Sequence, residues 1–149
     1  MKNVLVIAQG PSKRHRLGQA PLDGPGSGSR LAEFAGLSLA ELFAKADVVN
    51  LLSRFCGKNG KGDAFPLEIA REEAAALFPS LVRYRLVILL GANVARAFFA
   101  DPLPILETRR WGLGRGEFAV VPHPSGVNRW YNSPANVRRA ENFLRLVFR

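Results

Sequence analysis

The chain has 149 residues, 48% of them hydrophobic and 22% charged, which supports one domain with its own core and excludes a disordered polyelectrolyte. With 21 Lys and Arg against 12 Asp and Glu, the net charge of +9 suits a polyanionic partner or an acidic surface. A single cysteine, Cys56, excludes an internal disulfide and any zinc or iron–sulfur site built from several cysteines. Cys56 is expected to be a small buried apolar residue. No apolar run approaches transmembrane length, and the first one is too short for a signal peptide, so a soluble cytoplasmic protein is expected.

Val4 to Ala8 is continuously apolar, the pattern of a parallel strand covered on both faces. A loop rich in Gly and Pro follows from Gln9 to Ser29 and carries the cluster Lys13-Arg14-His15-Arg16. An unstructured loop of that length in a small domain usually serves a ligand. A helix is expected from Arg30 to Ala35, stopped by Gly36, and a second from Leu39 to Ala46, capped by Ser38. Asp47 to Leu52 reads as the second strand, with Asn50 as the polar residue inside it. A buried amide without partners costs about 1–3 kcal/mol, so Asn50 should bond to neighbouring backbone or face a ligand. Ser53 to Asp63 reads as an exposed, mobile connection, and Pro66 to Phe78 as a helix with Leu67, Ala70, Ala74, Leu77 and Phe78 facing the core.

Tyr84 to Leu90 is the third expected strand, closed by Gly91 ahead of a short helix from Asn93 to Ala100. Residues 105 to 116, with Arg109-Arg110-Trp111 and a Gly-rich turn, lead to a fourth strand, Phe118 to Val121. Prolines 122 and 124 then fix the backbone on both sides of His123. The imidazole there either serves chemistry or binds a backbone carbonyl in a tight turn. The following segment through Tyr131 is expected to be irregular, until Ser133-Pro134 opens the last helix as N-cap and first-turn proline. That helix, about Ala135 to Phe148, turns Val137, Ala140, Leu144 and Val147 inward and leaves Arg138, Arg139 and Arg145 on other faces.

These elements predict a single domain over residues 1–149, a three-layer α/β/α fold with a four-stranded, mainly parallel central sheet. Ligands of such sheets bind at the carboxyl ends of the strands. That rule draws Gln9, Asn50 and His123 onto one rim.

At those positions the chain resembles the uracil-DNA glycosylase superfamily. The resemblance rests on Ala8-Gln9-Gly10-Pro11-Ser12, on Asn50, and on His123-Pro124-Ser125-Gly126-Val127-Asn128. A further block, Pro21-Leu22-Asp23-Gly24 with Ser27-Gly28-Ser29-Arg30-Leu31, is similar to a segment of the thermophile-type members, with one extra residue. The resemblance implies a glycosylase-like fold and hydrolysis of the N-glycosidic bond of uracil, or of a related damaged base, flipped out of DNA. It implies His123 and Gln9 as catalytic residues and Asn50, Gly10, Ser12 and Leu22 as base-binding ones. DNA contacts are implied for Ser27, Ser29, Ser125, Gly126, Val127, Asn128 and Arg129, and for Lys13, Arg14 and Arg16 beside the pocket. DNA is the implied partner of a monomer acting in base excision repair, with no cofactor, metal or membrane.

Several residues depart from the family's pattern. Gly10 stands where relatives often carry an acid that orients water, Gln9 where thermophile-type members have Glu, Ser12 where an aromatic excludes the thymine methyl, and Leu22 where a Phe often stacks on the base. Asp23 is the nearest carboxylate in sequence. These departures leave a second reading open: a nucleic-acid- or nucleobase-binding module of the same fold with little or no turnover. A phosphate-cradling nucleotide enzyme is disfavoured, because the Gly-rich loop matches neither the P-loop nor the dinucleotide fingerprint.

Overall fold

Successive side chains of an extended strand point to opposite faces, so a strand buried at every position needs a layer on each side. The first strand, β1 (Val4–Ala8), is such a strand, and so is Leu86–Leu90 farther along. The computed structural model describes residues 2–11, 21–22, 26–60, 62–111 and 116–149, and it supplies both layers. After β1 come α1 (Ser27–Phe34), α2 (Leu39–Lys45), β2 (Ala46–Asn50), the short β3 (Lys58–Asn59) and β4 (Gly62–Asp63), and α3 (Leu67–Leu77). They are followed by β5 (Leu86–Leu90), α4 (Ala92–Phe98), β6 (Arg109–Arg110), β7 (Glu117–Val121) and α5 (Pro134–Val147).

The main sheet has the order β2-β1-β5-β7-β6. Its first four strands are parallel, and β6 runs antiparallel to β7 at the edge. On one face Val4, Val6, Ala8, Ile88 and Val121 pack with Leu31, Phe34, Leu42, Ala140 and Leu144 from α1, α2 and α5. On the other, Leu5, Ile7, Val87, Leu89 and Val120 pack with Ala70, Ala74, Val94 and Ala97 from α3 and α4. The result is a three-layer α/β/α arrangement around a mixed sheet.

The sequence reading differs from this in several places. The sheet has a fifth strand, because Arg109 and Arg110, in the segment leading to the fourth expected strand, pair with Phe118 and Glu117. Two exposed arginines on an edge strand discourage pairing with another chain. The connection after β2, expected to be exposed and mobile, holds the β3–β4 hairpin. Helix α1 begins at Ser27, three residues earlier than expected, so Ser27 and Ser29 lie in its first turn and not in the loop. Phe78, expected inside, opens a 3-10 turn and is exposed, while Leu67 and Leu77 are half-buried. Cys56 is half-buried and not a core residue, its Sγ donating to the Arg54 carbonyl. Residues Arg129–Asn132 form a 3-10 turn where irregular chain was expected, because the Asn128 side chain caps it by accepting from the Trp130 N–H. Two expected caps are present: Ser38 and Glu41 close a capping box on α2, and Ser133 accepts from the Asn136 N–H at the start of α5.

Candidate functional site

The parallel register decides what can meet. Ala8 pairs with Asn50, so the last residue of β2 lies beside the end of β1, one residue before Gln9. The pairing runs on past both ends, with Leu51 N–H donating to the Ala8 carbonyl and Leu52 N–H to that of Gln9. Asn50 is half-buried, and among the described residues none is hydrogen-bonded to its side chain. The expectation assumed a buried amide, whereas this one is within reach of solvent.

Gln9 reaches the other way. Its Oε1 accepts from Asn93 Nδ2 at 3.2 Å, linking the end of β1 to the start of α4, just past β5. Asn93 Oδ1 in turn accepts from the Arg96 guanidinium. Beyond β5, Gly91 donates its N–H to the Val121 carbonyl and has φ +99°, a conformation that favours glycine. A Cβ on Gly91 would lie 3.3 Å from His123 Cβ, so glycine also lets His123 close onto this strand end. The ends of β2, β1, β5 and β7 thus carry Asn50, Gln9, Gly91 and His123 side by side. Three strand spacings, ~14 Å, separate the strand ends that carry Asn50 and His123.

His123 is held from several sides. The Ser125 N–H donates to its Nδ1 at 3.2 Å, which places the proton of the neutral imidazole on Nε2. The contact is local, to the backbone two residues on within the turn that Pro122 and Pro124 flank. Asn128 Nδ2 donates to the His123 carbonyl at 2.8 Å, while the buried Tyr131 hydroxyl donates to the Pro122 carbonyl at 2.6 Å. Arg30 NH1 donates to the Pro124 carbonyl at 3.1 Å, and its guanidinium sits 5.4 Å from the centroids of both Phe34 and Tyr131. Phe34 and Tyr131 stack with their centroids 4.9 Å apart, and burial raises the Tyr131 phenol well above its ordinary range. These contacts make the loop a fixture of α1 and of the turn before α5.

The remaining implied residues divide into four groups. Gly126, Val127 and Arg129 lie at the exposed tip of the loop, where Val127 is 80% accessible and projects an apolar group into solvent. Asn128 has both ends of its amide engaged inside the turn, so it shapes the loop. Leu22 adopts φ +60° and packs against the α1 face of the core, and a Cβ on Gly28 would fall 1.8 Å from its carbonyl oxygen. Gly10 is packed in the same sense, because an added Cβ would lie 3.1 Å from Leu52 Cβ and 3.3 Å from Leu52 O. The calls at Ser12, Lys13, Arg14, Arg16 and Asp23 lie outside the described residues.

Among the described residues, the four strand ends carry no Asp or Glu, and no cluster of His, Cys, Asp and Glu is arranged to hold a metal ion. A cavity of roughly 10 Å³, about the space of one water molecule, is lined by Gln9, Gly10, Pro11 and Leu52 with Arg54, Phe55, Cys56 and Ala64. A more open groove of about 460 Å³ adjoins it at Arg54, Cys56 and Ala64 and runs along Phe65, Pro66 and Ile69. Neither is lined by Asn50 or His123. No described helix is long and apolar enough to cross a membrane. Sequence reasoning missed Arg30, Gly91, Asn93 and Arg96. The signal for Gly91 and Asn93 was available, since the strand-end rule that selected Gln9 applies equally to the residues after Leu90.

Comparison with known proteins finds no family model that matches the chain and no curated protein significantly similar to it.

Proposed function

We propose that the chain is a DNA N-glycosylase that hydrolyses the bond between deoxyribose and uracil, or a related damaged base, after the base has been flipped out. The observation that carries this reading is the row Asn50, Gln9, Gly91 and His123 along four successive strand ends, with the Ser125 N–H donating to His123 Nδ1. As the glycosidic bond breaks, its electron pair leaves with the base and the sugar becomes oxocarbenium-like; water then adds to the sugar carbon and loses a proton to solvent, from which the base anion takes one up. A neutral Nε2–H donor directed at the carbonyl of the departing base stabilises that charge as it develops. The Asn50 amide offers one donor and one acceptor, the pair needed for an imide N–H beside a carbonyl. The motif resemblance and the net charge of +9 support a DNA substrate, and the exposed tip at Val127 suits insertion where a base has been extruded.

The test is incubation with uracil-containing single- and double-stranded oligonucleotides followed by alkali. Strand breaks at uracil are expected, with His123→Ala slowing them about 100-fold, the effect of removing one preorganised donor. Oligonucleotides that stay intact across uracil, hypoxanthine and mismatch substrates would defeat the reading. The absence of Asp and Glu from the described strand ends favours a second one, a module that binds DNA or a nucleobase without turnover. It requires binding that weakens steeply with salt in the same sample that fails to cleave.

A further inference from the structure

A carboxamide looks nearly the same either way round, so which end of Gln9 faces a ligand must be deduced from its partners. Arg96 settles the question because a guanidinium can only donate. The Asn93 atom facing Arg96 is therefore its oxygen, Asn93 Nδ2 is left to face Gln9, and the Gln9 atom that receives it is Oε1. Gln9 Nε2 is the end left over, with two hydrogens and no partner among the described residues.

We infer that Arg96, Asn93 and Gln9 form a polarity relay that fixes Gln9 as a hydrogen-bond donor at the end of β1. The group it receives is an acceptor: a carbonyl oxygen of the ligand, or the oxyanion that such a carbonyl becomes. Gln9 does not take a proton from water, and it does not hold water through Oε1, because that oxygen is occupied. Asn93 and Arg96 are positioning residues, acting only through Gln9. The identity of the acceptor as a base carbonyl rests on the glycosylase reading, whereas the orientation of Gln9 does not.

Two measurements separate these. Asn93→Asp presents only acceptors, so Gln9 must turn its NH₂ toward residue 93 and its oxygen outward, while Arg96→Met releases Asn93 to rotate. In a ¹⁵N-labelled protein, the Gln9 side-chain NH₂ signals, assigned by their loss in Gln9→Glu, are expected to move in both variants and to stay in Asn136→Ala, which lies on α5. Signals unmoved in Asn93→Asp and Arg96→Met overturn the relay whether or not the protein cleaves DNA. With cleavage in hand, Asn93→Asp is expected to lower kcat about three- to tenfold, the range of one neutral hydrogen bond, with little change in KM. The same substitution placed on Gln9→Ala should have no further effect. Equal and additive losses in the two backgrounds, in a protein whose melting temperature is preserved, would show that Asn93 does not act through Gln9. Absence of cleavage by the wild-type chain removes the glycosylase reading and leaves the orientation of Gln9 to the NMR result.

Discussion

Tyr131→Phe removes one oxygen from the support of the His123 loop and leaves nearly everything else in place. In the native chain that hydroxyl donates at 2.6 Å to the Pro122 carbonyl, and both residues are buried. The phenylalanine ring keeps the stack on Phe34 and the edge contact with Trp130. What is lost is one hydrogen bond and the partner of a buried carbonyl, about 1–3 kcal/mol. Tyr131→Ala loses the ring contacts as well, about 3–5 kcal/mol. Urea denaturation at neutral pH measures both, and amide exchange at Ser125 and Asn128, which pin His123, should accelerate in Tyr131→Phe. The pH dependence carries a sign of its own. Burial raises the Tyr131 phenol above its ordinary value of 10.0, with Arg30 partly opposing, so the folded chain keeps a proton that the unfolded chain loses. That contribution is complete below pH 10 and fades above it, so wild type should lose stability relative to Tyr131→Phe in alkali. A loss under about 0.5 kcal/mol at neutral pH, with amide exchange unchanged, would refute the claim that this hydroxyl holds the loop.

Two further predictions concern the ends of the sheet. Gly10→Asp adds a carboxylate at the end of β1 but forces a side chain against Leu52. Overpacking of this kind costs about 1–3 kcal/mol, so the melting temperature should fall by several degrees with no gain in base release. A faster, equally stable variant would show that the space is open. At the opposite end, the Tyr84 hydroxyl donates to Asp47 at 2.7 Å, with Lys2 and Arg83 nearby, and these hold the Asp47 carboxyl below its ordinary 3.8. Its contribution is present above that value and lost as pH falls through the lowered one, so Asp47→Asn should flatten the acid limb of a stability–pH curve. An unchanged acid limb would remove Asp47 from the account.

The layering of the fold was legible because its signals are local. Val4–Ala8 and Leu86–Leu90 are apolar at every position, and Ser38 with Glu41 and Ser133 with Pro134 mark helix starts by their own chemistry. The strand-end rule then brought Gln9, Asn50 and His123 to one rim without any coordinates. What was not legible depends on partners far away in sequence. Arg109 and Arg110 become a strand only because the edge of β7 is open to them. The 3-10 turn at Arg129–Asn132 depends on one side-chain cap, and the exposure of Phe78 on where α3 stops. Arg30 read only as the first residue of a helix, yet its guanidinium reaches a carbonyl 94 residues away. No periodicity records such a contact.

The polarity of the rim now limits its chemistry. His123 accepts at Nδ1 and carries its proton on Nε2, Gln9 is turned to donate, and Asn50 supplies both a donor and an acceptor. With no carboxylate among the described strand ends, the side chains there hold no strong base for activating water. The same set is well matched to a planar group rich in carbonyl oxygens on which negative charge accumulates. An enzyme built this way lowers its barrier by stabilising the leaving group, and its rate should follow the acidity of the departing base more steeply than that of one relying on general-base attack. A series of 5-substituted uracils with graded N1 acidity, assayed at equal occupancy, measures that slope, and a flat series would mean that bond cleavage is not what the donors assist.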